Sequence, residues 1–133
     1  MVNGYGKRVL IVDDEPDTRL LLRLLLDRDG YVVVEAGDGL EAAREVRKRH
    51  FDVLVTDLTM PILNGLELMI HVHARCPDLP GILLTGESIE DLDHATRTHF
   101  FECLQKPLDI DHFLEVVHLA SHAWPSVMSG NHR

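Results

Sequence analysis

Apolar and polar residues alternate along the chain in blocks, and the block lengths separate strands from helices. Val9-Leu10-Ile11-Val12 is apolar throughout and ends on Asp13-Asp14-Glu15. A short apolar run with polar borders predicts a strand buried on both faces. Pro16 stands where a first helical turn begins, with acidic residues beside it, as a helix N-terminus favours. Leu20 to Leu26, interrupted by Arg23, predicts a helix that is apolar on more than one face, and Gly30 stops it. Tyr31 to Val34 is a second, β-branched run. Asp38-Gly39 turns the chain, and Leu40, Ala43 and Val46 mark one face of a second helix whose other face is charged. Phe51 to Thr56 predicts a third strand that ends on Asp57. Met60-Pro61 and Asn64-Gly65 break the chain before a third helix reaching about Arg75. Pro80 to Thr85 predicts a fourth strand, and Ser88 is placed to cap a fourth, acidic helix. Phe101 to Gln105 predicts a fifth strand, ending at Lys106-Pro107. Ile110, Phe113, Leu114 and Val117 fit the i, i+3, i+4, i+7 template of an amphipathic helix.

Strands apolar on both faces, each followed by a helix, imply an α/β fold: a doubly wound (βα)5 parallel sheet with helices on both faces. Residues 1–6 read as a lead, 7–120 as the domain, and 121–133, with Pro125, Gly130 and little pattern, as a tail. The length of 133 residues suits one domain with its own core.

Charge narrows the partners. Acidic residues outnumber basic ones by 22 to 13, so the net charge is −9. That balance argues against direct nucleic-acid binding, which needs a Lys/Arg face, and against docking on an anionic membrane. The longest apolar clusters are broken by Arg23, His71 and His73, which argues against a membrane span. No apolar signal segment follows the start, and two cysteines, Cys76 and Cys103, cannot build a disulfide framework. Reduced thiols in a cytoplasmic protein are the expectation.

In an open α/β sheet, ligands bind beyond the carboxyl ends of the strands. Strand one ends in Asp13 and Asp14, strand three in Asp57, strand four in Thr85 and strand five in Lys106. Any one of these is ordinarily a turn residue, a cap or a solvated loop residue. Chance rarely places such groups at four of five strand ends, leaving only the second, near Glu35-Ala36, without one. Clustered carboxylates repel, and one is driven towards protonation unless a cation intervenes. A hard divalent cation such as Mg2+ suits a shallow site of few carboxylates completed by a substrate phosphate. A carboxylate can itself be the nucleophile, giving an aspartyl-phosphate whose charge the metal and an ammonium neutralise.

These residues resemble the receiver domain of two-component response regulators from Lys7 to about Ala120. The motifs are Val-Leu-Ile-Val-Asp-Asp-Glu-Pro at 9–16, Ala-Gly-Asp-Gly-Leu-Glu-Ala at 36–42, Asp-Val-Leu-Val-Thr-Asp-Leu-Thr-Met-Pro-Ile-Leu-Asn-Gly-Leu-Glu-Leu at 52–68, Thr-Gly at 85–86 and Leu-Gln-Lys-Pro at 104–107. Each is weak singly; in this order they are highly specific. The resemblance implies the flavodoxin-like strand order 2-1-3-4-5 and a cis Lys106–Pro107 bond. It implies that Asp57 accepts the phosphoryl group and that Asp14 binds Mg2+ directly, with Asp13 more often acting through a water. The Thr59 carbonyl would supply a further oxygen. Lys106 would pair with the phosphoryl group, Thr85 would move its hydroxyl onto it, and the Leu58 and Gly86 N–H groups would complete the cradle. The implied partners are a sensor histidine kinase or histidine phosphotransfer protein as donor, and a downstream effector or output domain reached through the helix four–strand five–helix five face. A homodimer is a further possibility within the family. The chain is then a phosphoacceptor that catalyses only its own phosphorylation and slow dephosphorylation.

Several positions depart from the family. Cys103 stands where an aromatic residue often rotates after the Thr moves, so an aromatic flip there is absent. His99-Phe100 replaces the usual Gly-Ala before strand five, and Gly86 replaces the commoner Ala. Thr59 and Glu87 occupy positions that, in the family the chain resembles, tune how long the phosphate lasts. Among weaker candidates, His118 and His122 share a helix face, but no third metal ligand is evident. His71 and His73 point to different sides of a helix. Glu87, Glu90, Asp91 and Asp93 read as a solvated helix face. A phosphohydrolase with an Asp nucleophile on strand one is the rival enzyme reading; its second Asp two residues on is missing, since Glu15 follows Asp13 at that spacing. A non-phosphorylated interaction module is the other rival, and the intact acidic set speaks against it.

Overall fold

The structure, a computed structural model, describes residues 4–123. Strands β1 (Arg8–Val12), β2 (Val32–Ala36), β3 (Val53–Asp57), β4 (Gly81–Thr85) and β5 (Glu102–Gln105) alternate with helices α1 (Pro16–Arg28), α2 (Gly39–Lys48), α3 (Gly65–Arg75), α4 (His94–His99) and α5 (Ile110–Ala123). The strands form one parallel sheet in the order β2-β1-β3-β4-β5. This is the doubly wound, flavodoxin-like order, and the Lys106–Pro107 bond is cis.

The unbroken apolar runs follow from burial on both sides. Successive strand side chains point to opposite faces. Val9 and Ile11 of β1 join Leu22 and Leu26 of α1 and Phe113 and Val117 of α5. Leu10 and Val12 point the other way, onto Val46 of α2 and Leu68, Met69 and Val72 of α3. β3 repeats the division, with Val53 and Val55 in the first core and Leu54 in the second. A strand sandwiched in this way has no solvent face on which to carry a polar residue, so its polar chemistry is displaced to its ends.

Caps fix where the helices begin. The Asp38 carboxylate accepts the Glu41 N–H at 2.8 Å, and Asn64 and Glu67 form a reciprocal capping box at 2.8 and 2.9 Å. The fourth helix departs from expectation. Ser88 does not cap it; the Asp93 carboxylate does, accepting the Thr96 N–H at 2.8 Å. Ile89–Asp91 form a short 3₁₀ turn instead, and the Ser88 hydroxyl donates to Glu90 at 2.9 Å. The reason is apolar spacing: Ile89 and Leu92, three apart, both pack into the second core, and a three-residue turn stacks such positions. Glu87, Glu90 and Asp91 therefore belong to a loop and a tight turn rather than to a helix face, and α4 itself carries no acid.

α5 runs to Ala123, past the boundary expected at residue 120. Ser121 is 2% exposed, and its hydroxyl lies 3.4 Å from the Tyr31 hydroxyl across the first core. A buried serine on the inner face interrupts the apolar pattern without ending the helix. The lead is tied down where it is described: Gly4 N–H donates to Asp29 O at 2.7 Å and Gly6 N–H to Gly30 O at 3.1 Å. Residues 1–3 of the lead and 124–133 of the tail lie outside the described residues. Among the described residues no helix is long and apolar enough to cross a membrane.

Burial raises the Tyr31 phenol above its ordinary value, a shift the Ser121 hydrogen bond opposes in part. A raised value means that the phenol's contribution is fully present below the ordinary phenol range near pH 10 and is lost as pH rises through the higher folded value. Tyr31→Phe should therefore match the parent closely at pH 8 and exceed it in Tm above about pH 10. Thermal melts of both chains across that range check this; parallel curves would contradict it.

Candidate functional site

Each polar strand end predicted to matter lies at the same edge of the sheet. β1 delivers Asp13 and Asp14, β3 ends on Asp57, β4 ends on Thr85, and Lys106 follows β5. Carboxylate oxygens of Asp13, Asp14 and Asp57 all lie within 4.8 Å of one another, the only such group of three potential metal ligands among the described residues. The Lys106 ammonium donates to Asp57 Oδ1 at 3.2 Å, with both side chains partly buried. The Leu58 N–H is shared between Asp57 Oδ1 at 3.0 Å and Leu84 O at 3.1 Å. It therefore holds the carboxylate in place and is not an open donor. The Thr85 hydroxyl is buried and accepts the Glu87 N–H at 3.0 Å, while Thr85 O accepts the Lys106 N–H at 2.7 Å. At Gly86 an added Cβ would meet nothing within 4 Å, so the rim is open on that side. Thr59 and Glu87 both line a cavity of about 410 Å³ beside the rim, together with Asn64 and Asp93.

The electrostatics are set by crowding. Asp13 is 1% exposed; its Oδ1 accepts the Glu15 N–H at 2.9 Å, whereas its Oδ2 is buried without any hydrogen-bond partner. Burial, reinforced by Asp57 and Asp14, raises the Asp13 carboxyl above the usual carboxylate range, against the Glu15 N–H and Lys106. A buried carboxylate with one orphaned oxygen, set beside two more carboxylates, is costly without a cation. The donor set, all hard oxygen and open to solvent at Asp14, fits a divalent ion such as Mg2+.

A stability test follows. A carboxyl raised on folding contributes stability that is complete below its unfolded value and is lost as pH rises through the folded one. At neutral pH, in EDTA, Asp13 thus works against the fold. Asp13→Asn, which keeps the acceptor for Glu15, should be more stable there and melt at a higher temperature than the parent. Adding Mg2+ should raise the parent's Tm more than the variant's. Thermal melts with and without the ion check both signs.

Three contributors were not evident from the sequence. Gly65 N–H donates to Leu58 O at 2.8 Å, and a Cβ on Gly65 would sit 2.5 Å from Asp57 O. Asn64-Gly65 was legible as a chain break but not as a close backbone approach. Arg19 of α1 donates to Asp13 O at 2.6 Å and through Nε to Glu35 at 3.2 Å. The end of β2, which carries no rim residue, thus still communicates with the site. The departures at strand five are accommodated by packing: Phe100 is buried in the second core, and His99 stacks on His73 of α3 with ring centroids 6.3 Å apart. Cys103 is half-buried, and burial raises its thiol above the usual range, as expected of an inert reduced cysteine. The His118 and His122 rings lie 4.5 Å apart, and no group of three metal ligands forms around them among the described residues.

Comparison with known proteins gives a consistent result. Residues 9–118 match the family model described as the response regulator receiver domain. The chain is 36% identical over 110 residues to the transcriptional regulatory protein GlrR of Escherichia coli strain K12, covering 82% of this chain and 25% of that protein. It is 36% identical over 121 residues to the sensor protein EvgS of the same strain, covering 88% of this chain and 10% of that protein. It therefore spans a quarter or less of these relatives. The crystal structure of the response regulator protein TrrA from Thermotoga maritima in complex with Mg(2+)-BeF superposes with a TM-score of 0.79 at 32% identity, covering 86% of this chain and 98% of that one. With a family match across nearly all of the described fold, the chain belongs to the response regulator receiver domains of two-component signalling.

Proposed function

We propose that this receiver takes a phosphoryl group from a phosphohistidine, on a sensor kinase or a phosphotransfer protein, onto Asp57. The observation that carries the reading is the meeting of Asp57 with Asp13, Asp14 and Lys106 at one rim, although they are far apart in the chain. In the transfer, an Asp57 carboxylate oxygen attacks phosphorus, the phosphorus–nitrogen bond breaks, and the imidazole leaves with the electron pair. Leu58 N–H keeps the Asp57 carboxylate oriented for attack. Asp13, Asp14, Asp57 and the Thr59 carbonyl would hold Mg2+, which supplies positive charge against the phosphoryl oxygens when bound. Lys106 gives up its bond to Asp57 Oδ1 and pairs with the incoming group. Thr85 exchanges the Glu87 N–H for a phosphoryl oxygen, and Gly86, carrying no side chain, leaves that approach free.

The readout follows from what Thr85 and Lys106 are attached to. Thr85 closes β4, and Lys106 leads from β5 into α5. Moving both biases the α4–β5–α5 face, where an effector, an output domain or a second copy would bind. With Cys103 in place of a rotating aromatic, this repacking proceeds without an aromatic flip at that position. The named relatives include both a transcriptional regulator and a sensor protein, and either architecture suits a receiver as an inserted switch. Incubation with acetyl phosphate should add one phosphoryl mass in the presence of Mg2+ and none in EDTA. Equal uptake in EDTA would overturn the proposed metal requirement.

A further inference from the structure

Asp13 is held from several directions. Its N–H donates to Ala36 O at 3.2 Å, and its carbonyl accepts Arg19 Nη1 at 2.6 Å. The Arg19 guanidinium thus sits on the backbone carbonyl of the residue whose carboxylate oxygen Oδ2 is orphaned. A guanidinium and a carboxylate make a strong bidentate pair. That pair would occupy the oxygens a divalent ion needs. The guanidinium instead turns towards β2, where Glu35 Oε1 takes its Nε at 3.2 Å. Gly37 leaves space on that side: a Cβ there would already approach Arg19 Nη1 to 3.4 Å. The other Glu35 oxygen takes Arg23 Nη1 at 2.9 Å, and Arg23 has a second partner in Asp27 at 3.5 Å. Among the described residues Glu35 is the only carboxylate paired with Arg19.

We propose that Glu35 is a positioning residue for the metal site: it holds Arg19 on the Asp13 carbonyl and keeps that cation off the Asp13 carboxylate. The inference rests on the Mg2+ reading given above. Glu35 touches neither ion nor phosphoryl group; it acts by removing a competitor. Its effect on Mg2+ affinity must therefore run through Arg19, and a double-mutant cycle reads that directly.

The measurement is isothermal titration of MgCl2 into the full chain at fixed ionic strength, for the parent, Glu35→Gln, Arg19→Gln and the double variant. Melting of each in EDTA serves as the folding control. Glutamine at 19 keeps a donor for the Asp13 carbonyl and drops the charge. Glu35→Gln should weaken Mg2+ binding about tenfold, the usual scale for a group one step behind a metal ligand. Arg19→Gln should retain at least the parent's affinity, and adding Glu35→Gln to it should change the affinity by no more than about twofold. An equal loss from Glu35→Gln in both backgrounds would mean that it acts only through its own charge, and would overturn the proposal. So would an unchanged affinity in the single variant, or loss of binding in Arg19→Gln. A folded parent that takes up no Mg2+ would overturn the metal reading itself and this inference with it.

Discussion

Asp57→Asn is expected to leave the chain folded and to abolish its uptake of phosphoryl groups from acetyl phosphate. The substitution preserves shape: an amide oxygen still accepts the Leu58 N–H that now meets Asp57 Oδ1 at 3.0 Å. It removes the nucleophile, because an amide oxygen does not attack phosphorus as a carboxylate does. Loss of a nucleophile costs more than about 10³-fold in comparable covalent mechanisms, so no labelled chain should accumulate. The variant also relieves the crowding of Asp13, which Asp57 helps to hold above the usual carboxylate range. In EDTA it should consequently melt no lower than the parent. Intact-mass measurement after equal exposure to acetyl phosphate and Mg2+ decides the matter. Labelling of the variant to the parent's extent would refute Asp57 as the acceptor and move attention to Asp13 and Asp14.

Gly65→Ala should damage both the fold and the site. The added Cβ would lie 2.5 Å from Asp57 O and 3.1 Å from Leu58 Cα, and neither backbone atom can move aside as a flexible side chain can. Either α3 must back away from β3 or the end of β3 must shift. The first option breaks the Gly65 N–H bond to Leu58 O at 2.8 Å, and the second displaces the acceptor. Overpacking of this kind costs about 1–3 kcal/mol, a loss of several degrees in Tm for a chain of this size. Phosphorylation should slow more than stability alone explains, because a misplacement near 1 Å at reacting atoms costs on the order of 10²-fold. Gly86→Ala is the internal contrast: it adds a Cβ to open space and should leave Tm almost unchanged. Thermal melts and phosphorylation rates on the two variants separate the cases. A Gly65→Ala chain with the parent's Tm and rate would show that the contact is relieved at no cost.

The apolar pattern alone places the five strands, because the sheet is covered on both faces. Val9 to Val12 has no polar position to confuse with a helix, and Asp13, itself still buried, follows directly on the strand's last residue. Elements failed to be legible where two rules competed. Ser88 and Asp93 are both good caps, and local preference does not choose between them. The choice was made by Ile89 and Leu92, whose burial in the second core imposes a tight turn before any helix can start. The end of α5 was missed for a related reason, since Ser121 looks like a surface residue until Tyr31 comes opposite it.

By itself the sequence determined the alternation of elements, the family, and which residue types stand at the strand ends. These are one-dimensional properties: burial on both faces dictates composition along a run, and a run's end dictates where polar groups can first appear. Only the tertiary structure decided which of those groups meet. Sheet order brings Asp13, Asp57 and Lys106 to one rim, crowding leaves Asp13 Oδ2 without a partner, and the crossing of α1 over β2 sets Arg19 between Asp13 and Glu35. Distance in space between residues remote in the chain has no counterpart in local propensity, so the electrostatics that depend on it emerge only once the sheet has closed around them.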